Sequence, residues 1–215
     1  MFKSLLSCLV LGAPLLLHAA ESALPPGLEV GEKIYSIPAD ATSLESAGWA
    51  VLSKGEVAVN VENGGLQITS VEENPFLELT KGLSGDTVIQ VGIQFDSKKN
   101  HFFRLSFFDL LGLEYNRQFK RFAFLEKTNP KPSAYDFDLI QQKQGELDTF
   151  ATNPDGFVLT IAVTDSKAMV WCDQLQLFSV PLENFDLSGH LRVRSGWHSD
   201  WNITFLNIYK LQKLP

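Results

Sequence analysis

The feature that most constrains this chain is a repeated one. Short apolar runs recur from about residue 49 to the end, separated by turn residues, and no stretch of twelve residues keeps a helical period. Many short strands at close spacing with turn signals between them point to a sandwich or barrel of antiparallel sheets. Several runs alternate with period two, the mark of a strand with one face in a core. In 87–95 the residues Ile89, Val91, Ile93 and Phe95 share a face, and in 157–163 Phe157, Leu159, Ile161 and Val163 do. At 203–209 strict alternation would set Ile203, Phe205, Asn207 and Tyr209 against Thr204, Leu206 and Ile208. Asn63-Gly64-Gly65 is a hairpin signal, and Asp173-Gln174 sits where a two-residue hairpin turn would connect 170–172 to 175–178.

The first twenty residues speak to compartment. Lys3 supplies one positive charge, Leu5 to Leu17 is nearly all apolar, and small Ala19 and Ala20 precede the first acid, Glu21. That is the layout of a secretory signal peptide, expected over 1–20 and cleaved near Ala20-Glu21. The run is shorter than the roughly 20 apolar residues that span a bilayer, and no second long run suggests a membrane span. Leu5-Leu6-Ser7-Cys8 is similar to a lipoprotein acylation box but lies too early in the apolar run. The expected location is secreted or periplasmic. Residues 21–32, with Pro25, Pro26, Gly27 and Gly31, read as a linker. Residues 33–215 read as one domain, large enough to bury a substantial core without a disulfide.

Cleavage removes Cys8 and leaves Cys172, so no intrachain disulfide can form. A single Cys in an apolar strand is ordinarily a small buried hydrophobe rather than a nucleophile. The net charge of −7, with Lys and Arg scattered, argues against a nucleic-acid partner.

The order of features resembles a known group. Trp49-Ala50-Val51 leads to Gly65-Leu66-Gln67-Ile68, the strand at 88–95 and an aromatic strand carrying Phe103-Arg104. Gly112-Leu113-Glu114-Tyr115, Asp155-Gly156-Phe157 and the hairpin Val170-Trp171-Cys172-Asp173-Gln174-Leu175 follow. Gly189-His190-Leu191 and a terminal Phe205-Leu206-Asn207-Ile208 complete the series. This resembles the concanavalin A-like jelly roll of lectins and glucanases, and is most similar to its laminin-G-like branch and to bacterial 3-keto-disaccharide hydrolase-like domains. Asp173-Gln174 departs from the Asp-Gly usual there. The resemblance implies an all-β jelly-roll sandwich of two curved antiparallel sheets, with a sugar or catalytic groups on the concave one.

Glycoside hydrolysis needs two carboxyl groups flanking the bond. The Glu-x-Asp-x-x-Glu strand of laminarinase-type members is missing. Asp136-Phe137-Asp138 has the period but no following Glu, and Glu72-Glu73 reads as surface. Two clusters remain as ligand-binding candidates. Alternation can put Arg104, Glu114 and Asn116 on one face of adjacent strands, with Gln118 following. If the chain is an enzyme, Glu114 and Arg104 are the catalytic candidates; the same pair is also an ordinary cross-strand ion pair. The second cluster is Trp197, His198, Asp200 and Trp201, with His101 opening its strand on the side of the same rim; indole rings can stack on sugars or plug a sandwich end. His101, His190 and His198 are too far apart in sequence for a metal motif. No Asp-x-Asp-x-Asp-Gly calcium loop occurs, so structural calcium would have to be assembled from separate loops.

Three readings follow. The first is an exported module that binds a polysaccharide or oligosaccharide without catalysis. The second is a glycoside hydrolase acting on disaccharides or 3-keto-glycosides. The third is a protein-interaction domain of an exported assembly.

Overall fold

The structure is a computed structural model. It describes residues 23–53, 58–69, 76–95, 102–127, 137–153, 155–183, 185–196 and 200–215. The strands, in chain order, are β1 Glu29–Ser36, β2 Trp49–Val51, β3 Ala58–Glu62, β4 Gly65–Thr69, β5 Phe76–Leu79 and β6 Leu83–Ser84. Then come β7 Thr87–Phe95, β8 Phe102–Phe107, β9 Leu111–Asn116, β10 Arg121–Glu126, β11 Asp138–Gln144 and β12 Gly156–Val163. The last five are β13 Lys167–Cys172, β14 Leu175–Pro181, β15 Ser188–Gly189, β16 Arg192–Ser195 and β17 Asp200–Lys213.

Two large antiparallel sheets form, and β6 and β15 pair as a small third. The eight-stranded sheet runs β14-β13-β12-β7-β17-β4-β3, with β1 also paired to β17, and the seven-stranded sheet runs β11-β10-β9-β8-β16-β5-β2. The core between them is the set that period two selects. Ile89, Val91, Ile93 and Phe95 from β7 and Phe157, Leu159, Ile161 and Val163 from β12 meet Phe103, Leu105, Phe107, Leu113, Tyr115, Phe122 and Phe124 from the other sheet. Phe103 ties the sheets together. Its ring lies 5.5 Å from that of Trp201 and 5.9 Å from that of Phe95, both in the opposite sheet, and edge-on to Phe122 at 6.4 Å. Such offset and edge contacts add about 0.5–1.5 kcal/mol per pair beyond the buried area.

Two expectations need correction. The linker expected over 21–32 ends at Glu29, where β1 begins and pairs along β17. Within β17 the alternation breaks at a bulge. Ile203 opposes Ile93 and Phe205 opposes Gly92, so Thr204 is an extra residue. Ile203, Leu206 and Ile208 therefore share the core face, while Phe205, Asn207 and Tyr209 turn outward. Gly92 is required by this bulge. A Cβ there would meet Thr204 Oγ1 and would stand 2.6 and 2.7 Å from the Phe205 ring atoms Cε1 and Cδ1.

Both hairpin signals form turns. Asn63 and Gly64 have φ of 52° and 75°, and Asp173 has φ of 51°. Cys172 pairs with Leu175 across the latter turn.

The outward face of the eight-stranded sheet is divided. At one end Val88, Ala162, Met169, Trp171 and Tyr209 form a second small core, sealed by Leu24, Leu28, Val30, Leu211 and Leu214. Towards the other end the outward positions of the same strands are Gly92, Gln94, Val158, Gly156, Asn202 and Phe205.

Two measurements check the core. Trp201 is 1 % exposed, so Trp201→Ala should lower stability by about 3–5 kcal/mol in urea titration. Tyr115 is likewise 1 % exposed. Burial, reinforced by Glu146, pushes its phenol up from 10.0 to about 12. A raised folded-state value means that this contribution is complete below about pH 10 and is lost as pH rises towards about 12. Stability should fall over that window, and the part of the fall due to this phenol should be missing in Tyr115→Phe.

Candidate functional site

Because Phe103, Leu105 and Phe107 of β8 and Leu111, Leu113 and Tyr115 of β9 turn inward, the residues between them turn outward. Cross-strand register then assembles a row. Arg194 of β16 stands opposite Arg104, Arg104 opposite Glu114, and Glu114 opposite Ala123 of β10. A parallel row, one step along, carries Glu78, Arg192, Ser106 and Gly112. The outward face of the seven-stranded sheet is thus a stripe of guanidinium and carboxylate groups.

The geometry within the stripe is tight. Arg104 donates to Glu114 Oε2 from Nη2 at 2.5 Å and from Nε at 3.1 Å. Arg121 Nη2 lies 3.9 Å from Glu114 Oε1, and Arg121 Nη1 donates to Gln142 at 3.2 Å. The Glu114 side chain is only 5 % exposed and that of Arg104 13 %. Arg194 is 8 % exposed. Burial of this degree for charged groups on a sheet face is unusual and requires pairing. Part of the cover is visible: the Phe137 ring lies 5.2 Å from the Arg104 guanidinium and packs on Gly112. Arg192 donates from Nε to Glu78 Oε2 at 2.7 Å. Its Nη1 stands 2.7 Å from Asp109 Oδ1, outside hydrogen-bond alignment, while Asp109 Oδ2 faces His190 Nδ1 at 3.3 Å. Asp109 is presented by a turn in which Phe108 and Asp109 both have positive φ, 54° and 60°. Both are non-glycine residues, and the arrangement carries backbone strain.

The residues singled out from the sequence therefore separate. Arg104 and Glu114 pair directly. Asn116 shares their face, but its Oδ1 accepts the Phe119 amide at 3.2 Å and so braces the β9–β10 turn. Trp201 is a correction. Its ring is inside the sandwich and its Nε1 donates to Ser195 Oγ at 3.0 Å, so no sugar can stack on it. Asp200 begins β17 on the outward face of the other sheet, beside Thr69 and in line with Asn202. Trp197, His198, His101, Asp136, Glu72 and Glu73 lie outside the described residues. Asp138 is exposed at the start of β11. Cys172 is fully buried, and burial, with a smaller contribution from Asp173, pushes its thiol far up. Among the described residues, no group of three or more His, Cys, Asp and Glu is arranged to hold a metal ion.

Sequence reasoning missed Arg192, Arg194, Glu78, Asp109 and Arg121. Arg192-Val193-Arg194 carries the period-two signal on its own. What could not be read was that β16 lies beside β8, nearly ninety residues earlier in the chain.

The same architecture recurs in solved structures. A galectin-like protein of unknown function from Bacillus subtilis superposes with a TM-score of 0.65 at 9% identity, over 87% of this chain and 100% of that one. The fold is a concanavalin A-like jelly roll. An endo-beta-1,3-glucanase from Pyrococcus furiosus gives 0.61 at 11% identity, over 89% of this chain and 100% of that one. The carbohydrate binding module CBM66 from Bacillus subtilis gives 0.53 at 10% identity, over 78% and 96%. No family model and no curated protein matches the sequence.

Two outcomes test this description. Glu114→Gln keeps the shape and removes the charge opposite Arg104, and should cost about 1.5–3 kcal/mol in urea titration. Cys172 should resist thiol reagents in the native protein and react only at the rate of unfolding.

Proposed function

We propose that the chain is an exported glycan-binding module whose primary surface is the charged stripe on the seven-stranded sheet. The observation that carries this reading is the row Arg194, Arg104, Glu114, in which charged groups are held almost out of water on the outward face of a sheet. Side chains that fix one another present donors and acceptors in set directions, so little ordering remains to be done when a ligand binds. The buried row braces the more exposed members of the stripe, Arg192, Asp109 and His190, whose forked donors and paired acceptors match hydroxyl pairs on a sugar ring. Phe137, against Arg104 and Gly112, adds an aromatic edge to the same surface.

Structures of this fold include a carbohydrate binding module, a carbohydrate recognition domain and a glucanase, which supports a glycan as ligand. The geometry favours binding over hydrolysis. A glycosidase needs one carboxyl group to give a proton and a second to attack or activate water. Glu114 has Oε2 held twice by Arg104, Oε1 facing Arg121, and almost no exposed surface. Glu78 is engaged by Arg192. Export rests on the N-terminal segment, with its single Lys3, its apolar run and the small residues before Glu21.

A glycan array with the purified protein tests the reading. At least one glycan class should be retained, and Arg192→Gln should weaken retention about tenfold at unchanged melting temperature. No hydrolysis of disaccharides or 3-keto-glycosides should be seen. Absence of any glycan retention, or turnover abolished by Glu114→Gln, would sink it.

A further inference from the structure

The outward face of the other sheet holds a second arrangement. Along β7 the outward residues run Val88, Gln90, Gly92, Gln94, and along β12 they run Ala162, Thr160, Val158, Gly156. Val88 and Ala162 lie under the terminal segments, and Gly92, Gln94, Val158 and Gly156 lie towards the other end. There the face opens into a groove of about 700 Å³. Register lines up its amides Gln67, Asn202 and Gln94 with Asn60 beside them. Asn60 of β3 opposes Gln67, Gln67 opposes Asn202, Asn202 opposes Gln94, and Gln94 opposes Gly156. Four amide side chains on four adjacent strands thus form one line across the sheet.

We propose that this groove is a separate binding site for a neutral, extended polysaccharide lying across the strands. The chemistry selects the class. Each amide offers both a donor and an acceptor, which is what neighbouring sugar hydroxyls need. Among the described residues no Lys or Arg lines the groove, and the charged groups that do are carboxylates, which disfavours an anionic chain. Its carboxylates are Glu62 and Asp173. Asp173 is already occupied, accepting the Val158 amide at 2.9 Å and the Thr152 amide at 2.8 Å. Gly156 leaves the floor low, and the Phe205 ring lying over Gly92 supplies an apolar surface.

The geometry selects the shape. Adjacent strands lie about 4.8 Å apart, so Asn60 to Gln94 spans roughly 14 Å. An amide recurs at each step, a repeat comparable to the rise of an extended pyranose chain. A peptide is a poorer fit. Peptides that add to a sheet do so at an unpaired edge, whereas β17 and β7 are paired on both sides. The site does not depend on the charged stripe, which lies on the opposite sheet.

Affinity electrophoresis of the purified protein tests it, in gels containing laminarin, barley β-glucan, xyloglucan or galactomannan, and in gels containing alginate or polygalacturonate. At least one neutral polysaccharide should retard the protein, and the anionic ones should not do so through this groove. Asn202→Ala and Gln67→Ala, on different strands and both outward-facing, should each weaken that retardation about tenfold at wild-type melting temperature. Tetrasaccharides should compete better than monosaccharides. Unchanged retardation in both variants, or none by any neutral polysaccharide, overturns the proposal. Retardation lost in Arg192→Gln but kept in Asn202→Ala also overturns it while leaving the charged stripe as a glycan site. Loss in Asn202→Ala alone locates binding in the groove and counts against the stripe.

Discussion

The contact of Phe103 with Trp201 and Phe95 is the joint on which the molecule is organised. It fixes the phase of β8 against β7 and β17, and in a strand phase is everything. A shift of one residue would send Phe103, Leu105 and Phe107 to the outside and Arg104 into the core. The inward aromatic set is large, close-packed and has no substitute partner. It therefore dictates that Arg104 and Ser106 face outward. Neighbouring strands inherit the same constraint through Tyr115 and Phe122, whose rings are 4.9 Å apart. The charged stripe is in this sense a consequence of the core: its positions are those the aromatics leave over.

The opposite sheet solves a different problem. A strand as long as β17 must follow a twisted sheet and serve two environments along its length. The bulge at Thr204 allows this. It lets Trp201 and Ile203 at one end and Leu206 and Ile208 at the other all reach the core, although strict alternation would separate them. The cost is local crowding, met by a glycine at position 92. That glycine also lets the Phe205 ring lie down on the face where the groove forms. One backbone irregularity thus connects core packing to the shape of the outer surface, as bulges beside sites commonly do.

Much of this was legible in the sequence. Period two named the inward residues of β7 and β12 and the shared face of Arg104, Glu114 and Asn116 on β8 and β9, and the turns at Asn63-Gly64 and Asp173-Gln174 were marked by residues that tolerate positive φ. The pairing of Arg104 with Glu114 could be anticipated because their strands are consecutive and joined by a short turn. The neighbours that complete the stripe could not. Arg192 and Arg194 come from a strand distant in sequence, and the amides at Gln67, Gln94 and Asn202 lie on three strands that only register brings into line. Trp201 was misplaced for a related reason. Next to Trp197, His198 and Asp200 it looked like part of a polar rim. Alternation within β17 instead gives Asp200 and Asn202 to the surface and Trp201 to the core. Local composition is a weak guide where a strand begins, because adjacent residues go to opposite sides.

The row Arg194, Arg104, Glu114 remains hard to justify on stability alone. Like charges directly opposite on adjacent strands are unfavourable. Charged groups this far from water gain only as much from each other as they lose in solvation, so apolar residues of similar volume would serve the sheet at least as well. Ala123, in the same row, shows that small apolar residues fit there. A sheet face that breaks the local rules while its core obeys them is the pattern expected where function, not folding, chose the residues. Phe137 resting on Arg104 and the strained turn that presents Asp109 to Arg192 and His190 add two more departures on the same face. Their concentration along one stripe, rather than any single member, is the reason to place ligand recognition there.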